Sequence, residues 1–141
     1  MDDHKLTGGC LCGAVRYTVD GPVKYTSHCH CSMCQRCHGA VFGTYSSIRS
    51  DRLTIDRGRE NIQVYRSSPP VRRSFCGTCG CPLFFESAAE PGYIAFTAAT
   101  LDGGVHPGHP PEMERHIFVE SKLPWYAITD GVPQVEGDYI P

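Results

Sequence analysis

The stretch Phe75-Cys76-Gly77-Thr78-Cys79-Gly80 decides how this chain is read. Two cysteines separated by two residues let a tight turn aim both sulfurs at one point. The glycine behind them relieves the turn where the backbone must take positive φ. Cys10-Leu11-Cys12-Gly13 supplies a second pair, again followed by glycine. Structural zinc sites draw local pairs from two separated segments, so Cys10, Cys12, Cys76 and Cys79 are assigned to one closed, structural zinc site. Such a site turns metal-binding free energy into folding free energy.

Between the two pairs lies Cys29-His30-Cys31-Ser32-Met33-Cys34. Cys29, Cys31 and Cys34 offer three corners of a tetrahedron, and a three-ligand site that keeps its fourth position for water or substrate is the mark of catalytic zinc. Thiolate donors make the site soft, so a thiol is a natural fourth ligand. Two zinc ions per chain follow.

Outward from the cysteines, short β-type runs recur: Ala14 to Val19, Val41 to Ile48, Leu53 to Ile55, Ile62 to Tyr65 and Tyr93 to Thr97. Turn signals such as Asp20-Gly21-Pro22, Arg57-Gly58 and Glu90-Pro91-Gly92 separate them, which predicts an all-β or β-dominated domain. One short helix is expected over Ser32 to His38, with Ser32 as its N-cap. Asp102 to Glu114, rich in Gly and Pro, is expected to be a long loop.

Composition narrows the function classes. The chain has 141 residues, 13 Lys+Arg against 15 Asp+Glu, and a formal charge of −2. That length suits one domain, 1–141, able to bury about 68–70 % of its unfolded surface. The charge balance argues against nucleic acid or an anionic membrane as partner. No apolar run approaches the roughly 20 residues of a spanning helix, and Met1 to Lys5 shows no secretory signal. A cytoplasmic location is expected. Nine cysteines in a reducing compartment then read as metal ligands or catalytic thiols rather than as a disulfide framework.

Four blocks together resemble a known family. They are Gly9-Cys10-Leu11-Cys12-Gly13 with Ala14 to Tyr17, Cys29 to Arg36 with Gly39, Phe75 to Gly80, and His116-Ile117-Phe118-Val119 with Pro124-Trp125-Tyr126. The family is that of the glutathione-dependent formaldehyde-activating enzymes, whose domain is shared with centromere protein V. The resemblance implies a β-tent fold of several small antiparallel sheets built around a structural zinc. It also implies a carbon–sulfur lyase-type reaction, the condensation of glutathione with formaldehyde to S-(hydroxymethyl)glutathione. Carried over, Cys10, Cys12, Cys76 and Cys79 hold the structural zinc, and Cys29, Cys31 and Cys34 hold the functional one. Cys37 and Cys81 depart from the family pattern.

The remaining residues carry weaker signals. Cys37 and Cys81 read as small buried hydrophobes, although Cys37 at i+3 from Cys34 would close the second site if it turned inward. His28 and His30 flank the cluster, either as outer partners or as a fourth ligand or proton shuttle. His106 and His109 are expected to be solvated, His116 to be structural, and Trp125 and Tyr126 to lie in the core. Arg72-Arg73 reads as a solvated edge-strand pair, with a glutathione carboxylate as the alternative partner. Besides the enzyme, two further readings stand. One is a non-catalytic, zinc-stabilised protein-interaction module. The other is a redox pair at Cys31-x-x-Cys34, which lacks a thioredoxin-like βαβ surround.

Overall fold

The computed structural model describes residues 5–141, so the signal reading over Met1 to His4 lies outside the described residues. Ten strands and one helix follow in chain order: β1 (Lys5–Gly9), β2 (Arg16–Asp20), β3 (Tyr25–Cys29), α1 (Ser32–His38), β4 (Gly43–Arg49), β5 (Leu53–Arg57), β6 (Ile62–Ser68), β7 (Val71–Cys76), β8 (Pro82–Ser87), β9 (Tyr93–Thr97) and β10 (Glu114–Ile117). A three-stranded sheet runs β1-β2-β5, and a seven-stranded sheet runs β10-β3-β4-β9-β8-β7-β6. The fold is β-dominated, with small sheets and one helix, as the sequence indicates. All pairings are antiparallel except β10 with β3, which are parallel.

Period-two alternation gives the large sheet two different faces. On one face Ile48, Phe84 and Phe96 meet Val15, Tyr17 and Val19 from β2 and its approach, forming the main core with Leu83 and Leu101. Tyr17 packs edge-on against Phe84 at 5.3 Å between ring centroids, and its hydroxyl pairs with Thr100 Oγ1 at 2.7 Å. Each such fully buried apolar side chain stabilises the fold by about 1.5–3 kcal/mol. On the opposite face Cys29, Tyr45, Phe85 and Ala95 form a second apolar cluster with Cys34 and Ile117. That second face carries the candidate site.

Local chemistry departs from the sequence reading in several places. Helix α1 is capped by Cys31 rather than Ser32, because the Cys31 sulfur accepts the Cys34 backbone N–H at 3.3 Å. The helix stops at Gly39, whose left-handed φ of 57° no β-carbon opposes. Within the Asp102–Glu114 stretch two short 3-10 turns form, Asp102–Gly104 and Pro111–Met113. His109 is buried there rather than solvated, since its Nδ1 pairs with Thr26 Oγ1 at 2.7 Å and its Nε2 with Glu114 Oε1 at 3.1 Å. The apolar run Ile117-Phe118-Val119 breaks after Ile117, where Phe118 takes φ 53° and turns into a 3-10 segment. Trp125 is 74 % exposed and takes no part in the core, while Tyr126 is half-buried beside Phe42 at 6.0 Å.

Candidate metal centres and the adjoining cavity

The β1–β2 connection and the β7–β8 turn bring Cys10, Cys12, Cys76 and Cys79 together, with all four sulfurs within 4.8 Å of one another. Both turns are built by the expected glycines. Gly13 sits at φ 79° and donates to the Cys10 carbonyl at 3.1 Å, and Gly80 sits at φ 77° and donates to the Cys76 carbonyl at 2.8 Å. The Cys10–Cys12 and Cys12–Cys76 sulfurs are 3.6 and 3.8 Å apart. A tetrahedron with Zn–S bonds of 2.3 Å has S···S edges of about 3.8 Å, so the donor set fits zinc without rearrangement. No sulfur pair is a disulfide, and all nine cysteines are unpaired.

Charged sulfurs need donors. The Val15 backbone N–H reaches Cys10 Sγ at 3.3 Å, the Thr78 N–H reaches Cys76 Sγ at 3.4 Å, and Asn61 Nδ2 reaches the same Cys76 sulfur at 3.1 Å. Such contacts orient ligands and tune the bound ion. Asn61 escaped the sequence reading because nothing in a lone Asn before a strand marks its amide as a partner of a distant cysteine.

The second group gathers at the junction of β3 and α1. Cys29, Cys31 and Cys34 also hold their sulfurs within 4.8 Å. With three thiols this close, hydrogen bonds from Cys29 and then Cys34 hold the Cys31 thiol far below its ordinary range, while Cys29 is pushed far above. Three thiolates this close would need a cation among them. A soft divalent ion suits that donor set.

Neither flanking histidine belongs to this group. His30 Nε2 pairs with His116 Nδ1 at 2.8 Å, and His116 Nε2 with Asp130 Oδ2 at 2.9 Å. Burial, and then the neighbouring His116, hold the His30 imidazole down to about 4, so it is neutral at pH 7. His28 is taken by Glu114 Oε2 at 2.7 Å and Thr44 Oγ1 at 2.8 Å. Cys37 lies outside the group and is exposed, contrary to its reading as a buried hydrophobe, because it falls on the solvent side of α1. Cys81 is half-buried against the main core.

The largest correction concerns Arg73. Arg72 is exposed as expected, although β7 lies between β8 and β6 rather than at the sheet edge, while Arg73 points to the other side of β7 and is buried. Its Nη2 and Nη1 lie 3.6 and 3.7 Å from Cys34 Sγ, its Nε donates to Ser67 Oγ at 2.9 Å, and its guanidinium stacks on Phe85 at 5.0 Å. Nη1 also reaches the Tyr45 hydroxyl at 3.4 Å, which pairs with His38 Nε2 at 2.7 Å. A buried cation here would balance the net negative charge of three thiolates if they held a divalent ion. Alternation along a half-buried strand separates the two arginines, and a sequence without register does not reveal which one faces inward.

Beside these sulfurs opens a cavity of about 250 Å³, lined among others by Cys29, Cys31, Cys34, Tyr45, Arg73 and Phe85. Its floor is the second face of the large sheet and is mostly apolar, so a ligand's few polar groups meet few polar partners.

A β-dominated fold carrying a four-cysteine and a three-cysteine cluster, the latter open to a cavity, defines a class of metal-binding proteins. The family model described as glutathione-dependent formaldehyde-activating enzyme matches residues 5–121, and the chain belongs to that family. A Halomonas elongata protein bearing the family's name is 31 % identical over 132 residues, covering 87 % of this chain and 80 % of its own length. A Pyrenophora teres f. teres protein of the same name is 26 % identical over 124 residues, covering 73 % of this chain and 65 % of its own. Among solved structures, a Rhodobacter sphaeroides protein superposes with a TM-score of 0.61 at 28 % identity, covering 72 % of this chain and 92 % of that one. Among the described residues no helix is long and apolar enough to cross a membrane.

Proposed function

We propose that this protein is a carbon–sulfur lyase-type enzyme that joins a thiol, glutathione by the family's name, to formaldehyde, giving S-(hydroxymethyl)glutathione. The observation that carries the reading is the open side of the Cys29–Cys31–Cys34 group, which faces a cavity and has Arg73 and Tyr45 at its edge. In this reading Cys29, Cys31 and Cys34 hold a functional zinc, and Cys10, Cys12, Cys76 and Cys79 hold a structural one. A bound zinc ion supplies Lewis-acid chemistry that lowers the pKa of a coordinated thiol.

The chain's own residues account for the rest. The apolar walls from Phe85 and Ile117 exclude water and bring sulfur and carbonyl together, replacing a bimolecular encounter with a positioned one. As the sulfur–carbon bond forms, the carbonyl electron pair moves onto oxygen, where the Arg73 guanidinium, held by Tyr45, is placed to donate. The thiol proton lost and the hydroxyl proton gained balance the addition. The position of Cys37 on the solvent side supports an open site over the closed one that a purely structural module would use. Unpaired thiols throughout favour a reducing, cytoplasmic setting.

The test is two-dimensional exchange NMR on labelled formaldehyde with glutathione. Micromolar zinc-loaded protein is expected to speed exchange, and Cys31→Ser to abolish the effect. Exchange unchanged by the wild-type protein would refute the function.

A further inference from the structure

The cavity has a second polar end that the thiol chemistry does not use. Tyr25, Ser27 and Cys29 stand at alternate positions of β3 and all line it, so it runs along the five residues of that strand, about 13 Å from first to last. At the end away from Cys29, the Tyr25 hydroxyl donates to Glu90 Oε1 at 2.6 Å. Glu90 sits in the β8–β9 turn, fixed by its backbone N–H donating to the Ser87 carbonyl at 3.1 Å. Its other carboxylate oxygen, Oε2, is buried and has no hydrogen-bond partner. A carboxylate oxygen in that state has exchanged hydration for an ion-pair contact alone, and a ligand donor would supply the missing hydrogen bond.

The charges around it define that donor. Lys24 Nζ lies 3.9 Å from Oε2, beyond hydrogen-bonding distance, and is drawn instead over the Tyr93 ring at 4.4 Å. Asp138 also lines the cavity and adds a second carboxylate to its wall. Arg73 lies at the opposite end, beside Cys34, and does not reach Glu90. The rings of Tyr25 and Tyr93, which also line the cavity, offer faces that attract a cation.

We propose that Glu90 and Tyr25 form an ammonium-binding subsite, so that the thiol accepted here is an aminothiol whose protonated amine and sulfur occupy opposite ends of the cavity. The inference rests on the reading of the cavity as the thiol site and narrows its substrate class. After a contact at each end, the span leaves roughly 7 Å, the reach of two extended residues. Glutathione, with its amine remote from its sulfur, fits that description, and cysteine is too short. The subsite makes Glu90 the specificity-determining residue, through a charge-assisted hydrogen bond from the ligand ammonium to Oε2.

The experiment is calorimetric titration of zinc-loaded protein with glutathione and with N-acetylglutathione, which keeps the thiol and removes the ammonium. Wild-type protein is expected to bind glutathione more tightly by about 10- to 100-fold. Glu90→Gln should reduce glutathione to the level of the acetylated thiol while leaving the latter unchanged, and Lys24→Met should preserve or widen the preference. Equal binding of the two thiols by wild-type protein, which needs no variant to fold, overturns the subsite and leaves the thiol site standing. Equal weakening of both thiols by Glu90→Gln also overturns it. Failure of both thiols to bind wild-type protein overturns the thiol-site reading, and the subsite with it.

Discussion

Replacing Cys76 with Ser separates the two cysteine groups by what each does for the fold. Cys76 is fully buried in the main core, and its sulfur accepts from Asn61 Nδ2 and the Thr78 N–H. It also ties the β7–β8 turn to the β1–β2 connection through the four-sulfur cluster. A structural zinc contributes about 10–16 kcal/mol to the folding of small zinc domains. The net stability of a typical domain is only about 5–15 kcal/mol. Losing even about 5 kcal/mol, at roughly 3–5 °C per kcal/mol for a chain of this length, lowers Tm by about 15 °C or more. Cys31→Ser is the matched control. Cys31 sits at the rim of the second group, outside the main core, and serine caps a helix as well as the cysteine it replaces. That variant should lose one zinc and shift Tm by only a few degrees. The assay pairs metal mass spectrometry with thermal unfolding followed by circular dichroism. Equal Tm losses for the two variants, or a Cys76→Ser protein that melts with the wild type, would refute the division into structural and functional sites.

Three further outcomes are expected. Arg73→Met leaves the Cys34 sulfur without its buried cation, so zinc at the second site should be lost to a competing chelator about 10–100-fold more readily. Arg73→Lys should recover this only in part, because one ammonium cannot bridge Cys34, Ser67 and Tyr45 at once. Gly58→Ala should destabilise by about 1–3 kcal/mol or more, read as a lowered Tm, since φ is +82° and a β-carbon there would lie 2.0 Å from the Ala14 carbonyl oxygen. Acidification should release metal in two steps as protons compete for the thiolates, the three-cysteine site emptying at higher pH than the four-cysteine site. A chromophoric zinc indicator across falling pH reads both steps, and a single step would count against two sites of unequal ligand number.

Legibility in the sequence followed the range of the interaction responsible. The Cys10–Cys12 and Cys76–Cys79 turns, the span of α1 and five of the ten strands were readable because spacing, glycines and β-branched runs act over a few residues. Tyr93 to Thr97 coincides with β9, and Ile62 to Tyr65 opens β6. Strands β1, β3, β7 and β8 were not among the runs read; in β3 and β7, Ser27 and His28 or Arg72 and Arg73 dilute the apolar alternation. Their pairing partners supply the order instead. His109 and Trp125 exchanged their expected places for the same reason. A buried Thr26 and Glu114 hold the histidine in, while the tail presents the tryptophan outward.

By itself the sequence determined which cysteines come together in groups able to hold a metal ion, because ligand geometry constrains spacing within a turn. It determined a β-dominated chain, because period and turn chemistry are local. Tertiary structure alone decided that Arg73 turns inward onto Cys34 while Arg72 faces solvent, that Cys37 stays off the second cluster, and that Glu90 closes the far end of the cavity. Each of these depends on strand register and on which face of a sheet is covered. A one-residue slip reverses both, and no local pattern encodes them.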